Sequence, residues 1–192
     1  MAHKADPYLT TNVEVDAAIA AAIAAGVAWT EDVLGAAGQD LSVSVSGGAD
    51  ADYEWEAFVD YNATNVTLTA ELDGSSANME TVIYGVGVAD ITVGTSVAFT
   101  GAGMASQTGE MSNNVGGTAA ATAQFVRGRI TQRTGLGPLI TVDQFETDGN
   151  LRSVATRNVR RTTTGAVTSF GIHSDNATGM NTGSWLRVRR VS

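Results

Sequence analysis

Residues 53–74 read YEWEAFVDYNATNVTLTAELDG, and this stretch decides the fold. Tyr53, Trp55, Ala57, Val59 and Tyr61 alternate with Glu54, Glu56, Phe58 and Asp60. Beyond Asn62-Ala-Thr-Asn65, the residues Val66, Leu68, Ala70 and Leu72 alternate with Thr67, Thr69, Glu71 and Asp73. Successive side chains of a strand point to opposite faces, so each segment has one face for a core and one mostly for water. The polar residues 62–65 and the dipeptide Asp73-Gly74 have turn chemistry, so the stretch predicts two strands joined as a hairpin. A hairpin is not stable alone in water. It needs a sheet around it and a second layer beneath.

The rest of the chain supplies both. Strand patterns recur at 41–45, 81–84, 96–99, 121–132, 139–145, 152–161, 166–172 and 184–191. Gly47-Gly48 and Asp148-Gly149-Asn150 read as tight turns, and residues 101–118, GAGMASQTGEMSNNVGGT, as a long loop. Helical crossovers between strands are missing. The pattern therefore predicts an all-β, antiparallel sandwich or jelly roll over a parallel α/β sheet.

A short N-terminal α-helix precedes it. Thr11-Asn-Val-Glu14 fits a capping box, alanine dominates to Ala25, and Gly26 is a natural stop. Val15, Ile19, Ala22 and Ile23 form a narrow stripe at helical spacing. Such a stripe packs either on its own domain or in a small bundle of copies around a symmetry axis. The expected organisation is an arm and Ala-rich helix over 1–28, for attachment and oligomerisation, and a β-sandwich over 29–192.

Composition narrows the chemistry. The 192 residues contain no cysteine, so disulfides, thiolate metal sites and cysteine nucleophiles are excluded. With only His3 and His173, a zinc site is not expected, and nothing suggests another metal or a cofactor. The start, MAHKADPYLTT, has no secretory pattern, and the longest apolar run, 17–29, is too short to span a bilayer. Synthesis in a cytoplasm without membrane insertion is the expectation.

The net charge of −9 is unevenly laid out. Residues 1–110 hold 16 acidic residues and one lysine; residues 111–192 hold 4 acidic residues and ten arginines. Either acidic early strands meet arginine-bearing late strands within one sandwich, or each subunit carries an acidic and a basic surface that docks copies or partners. Nucleic-acid binding is not expected, because the total charge has the wrong sign and no reader motif is present.

Individual clusters say little about catalysis. Asp50, Asp52, Glu54 and Glu56 lie on or beside an extended strand, not on a bent loop that converges on calcium, and read as a solvated face. His173-Ser174-Asp175 has the residue types of a hydrolase triad, but adjacent residues cannot form that relay. No particular carboxylate pair suggests glycoside hydrolysis. Trp185, Arg187 and Arg189 alternate with Leu186 and Val188. With the aliphatic pair in the core, they share the outer face as a surface for a glycan or a partner. Otherwise the tryptophan faces inward and the arginines only solvate an edge.

Three segments carry a family likeness. The first is Val33-Leu34-Gly-Ala-Ala-Gly-Gln-Asp-Leu41-Ser-Val43. The second runs from Tyr53 through Val66-Thr-Leu68-Thr-Ala-Glu-Leu72-Asp-Gly74 to Tyr84. The third is Val167-Thr-Ser-Phe170-Gly-Ile172-His-Ser-Asp175, then Gly179, then Gly183-Ser184-Trp185-Leu186-Arg-Val188. Together they resemble tailed-bacteriophage virion proteins that carry a galectin-like jelly-roll β-sandwich, in tail fibres and on capsid surfaces. The resemblance implies a non-enzymatic structural component of a virion, a short fibre or spike or a capsid decoration. It also implies a homotrimer attached through its N-terminal segment to other phage virion proteins. The alternative is a carbohydrate-binding module that contacts a host surface glycan during adsorption.

Overall fold

The computed structural model describes residues 28–45, 47–62, 66–87, 100–105, 123–147 and 151–191, together with Ala17 and Ala20. The predicted helix stripe of Val15, Ile19, Ala22 and Ile23, the strand at 96–99 and the turn at 148–150 lie outside the described residues.

The strands among the described residues are β1 (Thr30–Val33), β2 (Asp40–Ser44), β3 (Ala51–Asp60), β4 (Leu68–Leu72), β5 (Met79–Gly87) and β6 (Thr100–Ala105). They continue with β7 (Ala123–Gln132), β8 (Leu139–Thr147), β9 (Leu151–Arg161), β10 (Ser169–Ser174) and β11 (Trp185–Arg190). They form an eight-stranded sheet in the order β1-β11-β3-β7-β8-β9-β5-β6 and a three-stranded sheet in the order β2-β10-β4. Every described pairing is antiparallel. The architecture is all-β and sandwich-like. Among the described residues no helix is long and apolar enough to cross a membrane.

The alternation at residues 53–74 places the core as expected. Tyr53, Trp55, Ala57 and Val59 of β3 and Leu68, Ala70 and Leu72 of β4 are buried in one cluster with Leu41, Val43, Phe170 and Ile172 of the small sheet. The Trp55 and Phe170 rings meet across the two sheets at 5.0 Å. Each large side chain taken out of water here contributes about 1.5–3 kcal/mol.

The expected hairpin is corrected. β3 pairs with β11 and β7, whereas β4 pairs with β10 in the other sheet. The chain therefore crosses from one layer to the other between β3 and β4. Both apolar faces then meet across the core, which buries them more completely than pairing side by side in one sheet. The alternation is the same for an arch and a hairpin, and only the strand partners separate them. The predicted loop at 101–118 is also corrected at its start, because residues 101–105 lie in β6 and pair with β5. Glycine-rich sequence suggested a loop, but edge pairing with a nine-residue strand supplies backbone hydrogen bonds that propensity does not anticipate.

One latch ties the layers. Asp73 follows β4 with φ of 58°. Its carboxylate accepts from the Thr168 amide at 2.6 Å, the Thr168 hydroxyl at 2.8 Å and the Ser169 amide at 3.2 Å. It also receives Arg161 Nη1 of β9 at 2.7 Å, and Arg161 Nη2 donates to the Gly165 carbonyl at 3.1 Å. Partial burial pushes the Asp73 carboxyl up, but the hydrogen bonds from Thr168, Arg161 and Ser169 outweigh it and hold it below its ordinary value.

Candidate functional site: the outer face of the large sheet

Register decides what the large sheet shows on its outer face. One row across the strands is Val33, Trp185, Phe58, Phe125 and Phe145. The next is Glu31, Arg187, Glu56, Arg127 and Asp143, a strict alternation of sign. The third is Arg189, Glu54, Arg129 and Thr141. Leu186 and Val188 are buried, so Trp185, Arg187 and Arg189 do share the outer face.

The acidic early strand and the arginine-bearing late strands meet here within one chain. Glu56 Oε2 accepts from Arg187 Nη2 at 2.5 Å and Nε at 3.0 Å. Glu54 Oε2 accepts from Arg189 Nη2 at 2.5 Å and Nε at 3.0 Å, while its other oxygen takes Arg129 Nη2 at 3.0 Å. The Arg189 hydrogen bond lowers the Glu54 carboxyl, burial pushes it back up, and the Arg129 hydrogen bond and the charges of both arginines leave it below its ordinary value. Asp52 takes both Arg133 Nη atoms, at 2.8 and 2.9 Å. Asp50 accepts from the amide and hydroxyl of Thr134, which lower its carboxyl. The four clustered acids are thus spread along arginine and threonine donors.

Trp29 completes the face. Its half-buried indole lies over the β11 arginines, with Arg187 Cζ 4.7 Å and Arg189 Cζ 4.6 Å from the ring centroid. Trp185 belongs to a different group. It stacks with Phe58 at 6.5 Å and meets Phe125 edge-on at 6.4 Å, and Arg187 also lies 5.0 Å from its ring.

Between Trp29 and β8 lies a cleft of about 390 Å³, lined by Trp29, Glu54, Glu56, Arg127, Arg129, Thr141 and Asp143, with Trp55 and Gly128 at its base. That volume falls within the ~300–1,000 Å³ of small-ligand sites. A Cβ on Gly128 would sit 1.7 Å from the Thr141 carbonyl oxygen, so glycine is what allows this approach of β7 to β8. Arg127 stands between Glu56 and Asp143 in register but forms no ion pair among the described residues. Its guanidinium rests 5.6 Å from the Phe145 ring centroid. Among the described residues Asp143 accepts one hydrogen bond, from the Thr156 hydroxyl at 3.0 Å.

The triad-like residues are not brought together. His173 Nδ1 meets Asp40 at 2.6 Å, Ser174 donates to the Asn176 carbonyl, and Asp175 accepts the Thr67 amide. All three serve the β10 end and its turn. Among the described residues no group of three or more histidine or carboxylate side chains could hold a metal ion. Sequence reasoning placed Trp185, Arg187 and Arg189 on one outer face, as the register has them, but missed Trp29 and the Phe58–Phe125–Phe145 row. Phe58 was the available signal, an aromatic on the glutamate side of its strand.

No protein-family model matches the chain, and no curated protein matches it.

Proposed function

We propose that this chain is a non-enzymatic structural component of a phage particle, a short fibre or spike or a capsid decoration. Residues 1–28 are its attachment and oligomerisation element, and the sandwich is the outward module. It is made in the host cytoplasm, resides on the virion, and meets copies of itself, as a trimer, and other virion proteins. The finer fold reading is a galectin-like jelly roll. The alternation of β1 to β5 between the two sheets, and the return through β10 to β11, supports it.

The observation that carries the reading is how the chain enters the sandwich. Directly after residue 28, Trp29 is clamped on Arg187 and Arg189, and β1 zips antiparallel onto β11 over four residue pairs. Asp32 then accepts the Ser42 amide at 2.8 Å, joining the edges of the two sheets. A pull on the N-terminal segment would thus load both layers, which suits an attached module. Light scattering after size exclusion tests it: the full chain should be a trimer, and a chain lacking residues 1–28 a folded monomer. A monomeric full chain would refute the oligomerisation role.

A second reading, a carbohydrate-binding module acting in host adsorption, is favoured by the cleft beside Trp29 and the partly exposed arginine–carboxylate rows. Sugar-dependent retention of the protein on immobilised glycans tests it.

A further inference from the structure

We propose that the cleft between Trp29 and Asp143 binds an uncharged pyranose sugar. Trp29 is the stacking surface, and Arg127, Arg129, Asp143 and Glu54 are the hydroxyl partners. The inference rests on the carbohydrate reading and narrows it to a ligand class and a set of residues.

The stacking surface comes first. The Trp29 ring is held by two guanidiniums, at 4.6 and 4.7 Å, that are themselves held by Glu54 and Glu56. An indole fixed in this way loses little side-chain freedom when a ligand arrives. It borders the cleft and is half-buried, so part of its surface remains for the C–H face of a sugar ring.

The polar partners come second. A guanidinium only donates and a carboxylate only accepts, whereas a hydroxyl does both. Arg127 and Asp143 are direct cross-strand neighbours, which places their Cβ atoms roughly 5 Å apart. They are not paired with each other. Arg127 rests on Phe145, and Asp143 takes a single hydroxyl from Thr156. Adjacent sugar hydroxyls can bridge such a couple, one accepting from Arg127 and the other donating to Asp143.

Charge comes third and sets the ligand class. The rows Glu31–Arg187–Glu56–Arg127–Asp143 and Arg189–Glu54–Arg129 together hold four carboxylates and four guanidiniums. An anionic substituent beside Arg127 would also face Glu56 and Asp143 on the flanking strands. The attraction and the repulsion offset each other, and a neutral ring meets neither.

The test uses the full chain and isothermal titration calorimetry, whose signal does not depend on Trp29. Lactose, maltose, cellobiose and methyl mannoside are titrated beside glucuronate and galacturonate, at about 0.05 and about 0.5 M NaCl. At least one neutral sugar should give a saturable change whose midpoint is the same at both salt concentrations. Trp29→Ala and Asp143→Asn should each weaken that binding ~10-fold, and Trp185→Ala less than ~2-fold. Asp143→Asn keeps the side-chain size and leaves Trp29 in place, so it tests the site even if Trp29→Ala fails to fold. Binding of uronates alone, weakening with salt, would overturn the neutral-ligand inference and leave the carbohydrate reading standing. Loss of binding in Trp185→Ala with retention in Trp29→Ala would overturn the site and place it on the aromatic row. No saturation with any sugar would overturn both.

Discussion

The outer face of the large sheet carries four aromatic rings in one row and five alternating charges in the next. The outer face of the small sheet carries Ser44 beside Ser169, Ser42 and Glu71 about Gly171, and Asp40 and Thr69 about His173. Both faces arise from the same period-two alternation. They differ because of what register sets side by side. On β3 each glutamate meets an arginine on both flanking strands, whereas on β10 the outward positions are a serine, a glycine and a histidine. Alternation assigns a residue to a side of the sheet, and cross-strand register gives that side its chemistry.

The contrast between the faces can be broken first at Gly128 of the large sheet and Gly171 of the small one. Gly128→Ala forces a Cβ against the Thr141 carbonyl at 1.7 Å and should destabilise the fold by about 3 kcal/mol or more. Gly171→Ala meets the Leu41 carbonyl at 3.0 Å and should cost roughly 1 kcal/mol. Urea unfolding of both variants checks the order, and equal losses would mean that the base of the cleft is not backbone-limited.

Next in size is the latch that belongs to neither face. Asp73→Asn should cost about 1–3 kcal/mol, because a charge-assisted acceptor of four donors becomes neutral. The folded carboxyl titrates below its unfolded value of 3.8. Its contribution is therefore whole above that value and is lost as pH falls through the lower folded one. Melting temperatures measured between pH 6 and pH 2 should decline less steeply on the acid side for Asp73→Asn than for the wild type.

The smallest effects compare the two faces directly. Glu54→Gln weakens pairs with Arg189 and Arg129 that are partly exposed, so the loss should be about 0.5–1 kcal/mol and should shrink at high salt. Glu71→Gln on the small sheet should stay within ~0.5 kcal/mol at any salt. If the two variants behave alike, the arginine–glutamate rows contribute nothing measurable.

Much of the fold was legible in the sequence. The alternation of Tyr53–Tyr61 and Val66–Leu72 marked the core faces, and of the two readings that the split of acids and arginines left open, pairing within one sandwich is seen. The arch was not legible, because residues 62–65 suit a turn within a sheet or between sheets equally well. β1, Thr-Glu-Asp-Val, has no apolar alternation, since it is an edge strand held by pairing with β11. In the site, the β11 residues were readable because Leu186 and Val188 fix their side of the strand. Trp29 was not, since nothing local relates it to arginines 158 and 160 residues further on. The Phe58, Phe125, Phe145 and Trp185 row likewise exists only through the pairing of four strands.

The proposed sugar site puts the binding face on the large sheet, with Trp29 at its centre. Chemical-shift mapping of the full chain during titration with the neutral disaccharides tests this most directly, through the tryptophan indole and arginine Nε signals. The prediction is that the Trp29, Arg127 and Arg129 signals move together, while the amides of Ser42, Gly171 and Thr69 stay fixed. Shifts confined to the small sheet, or to Trp185 without Trp29, would contradict it.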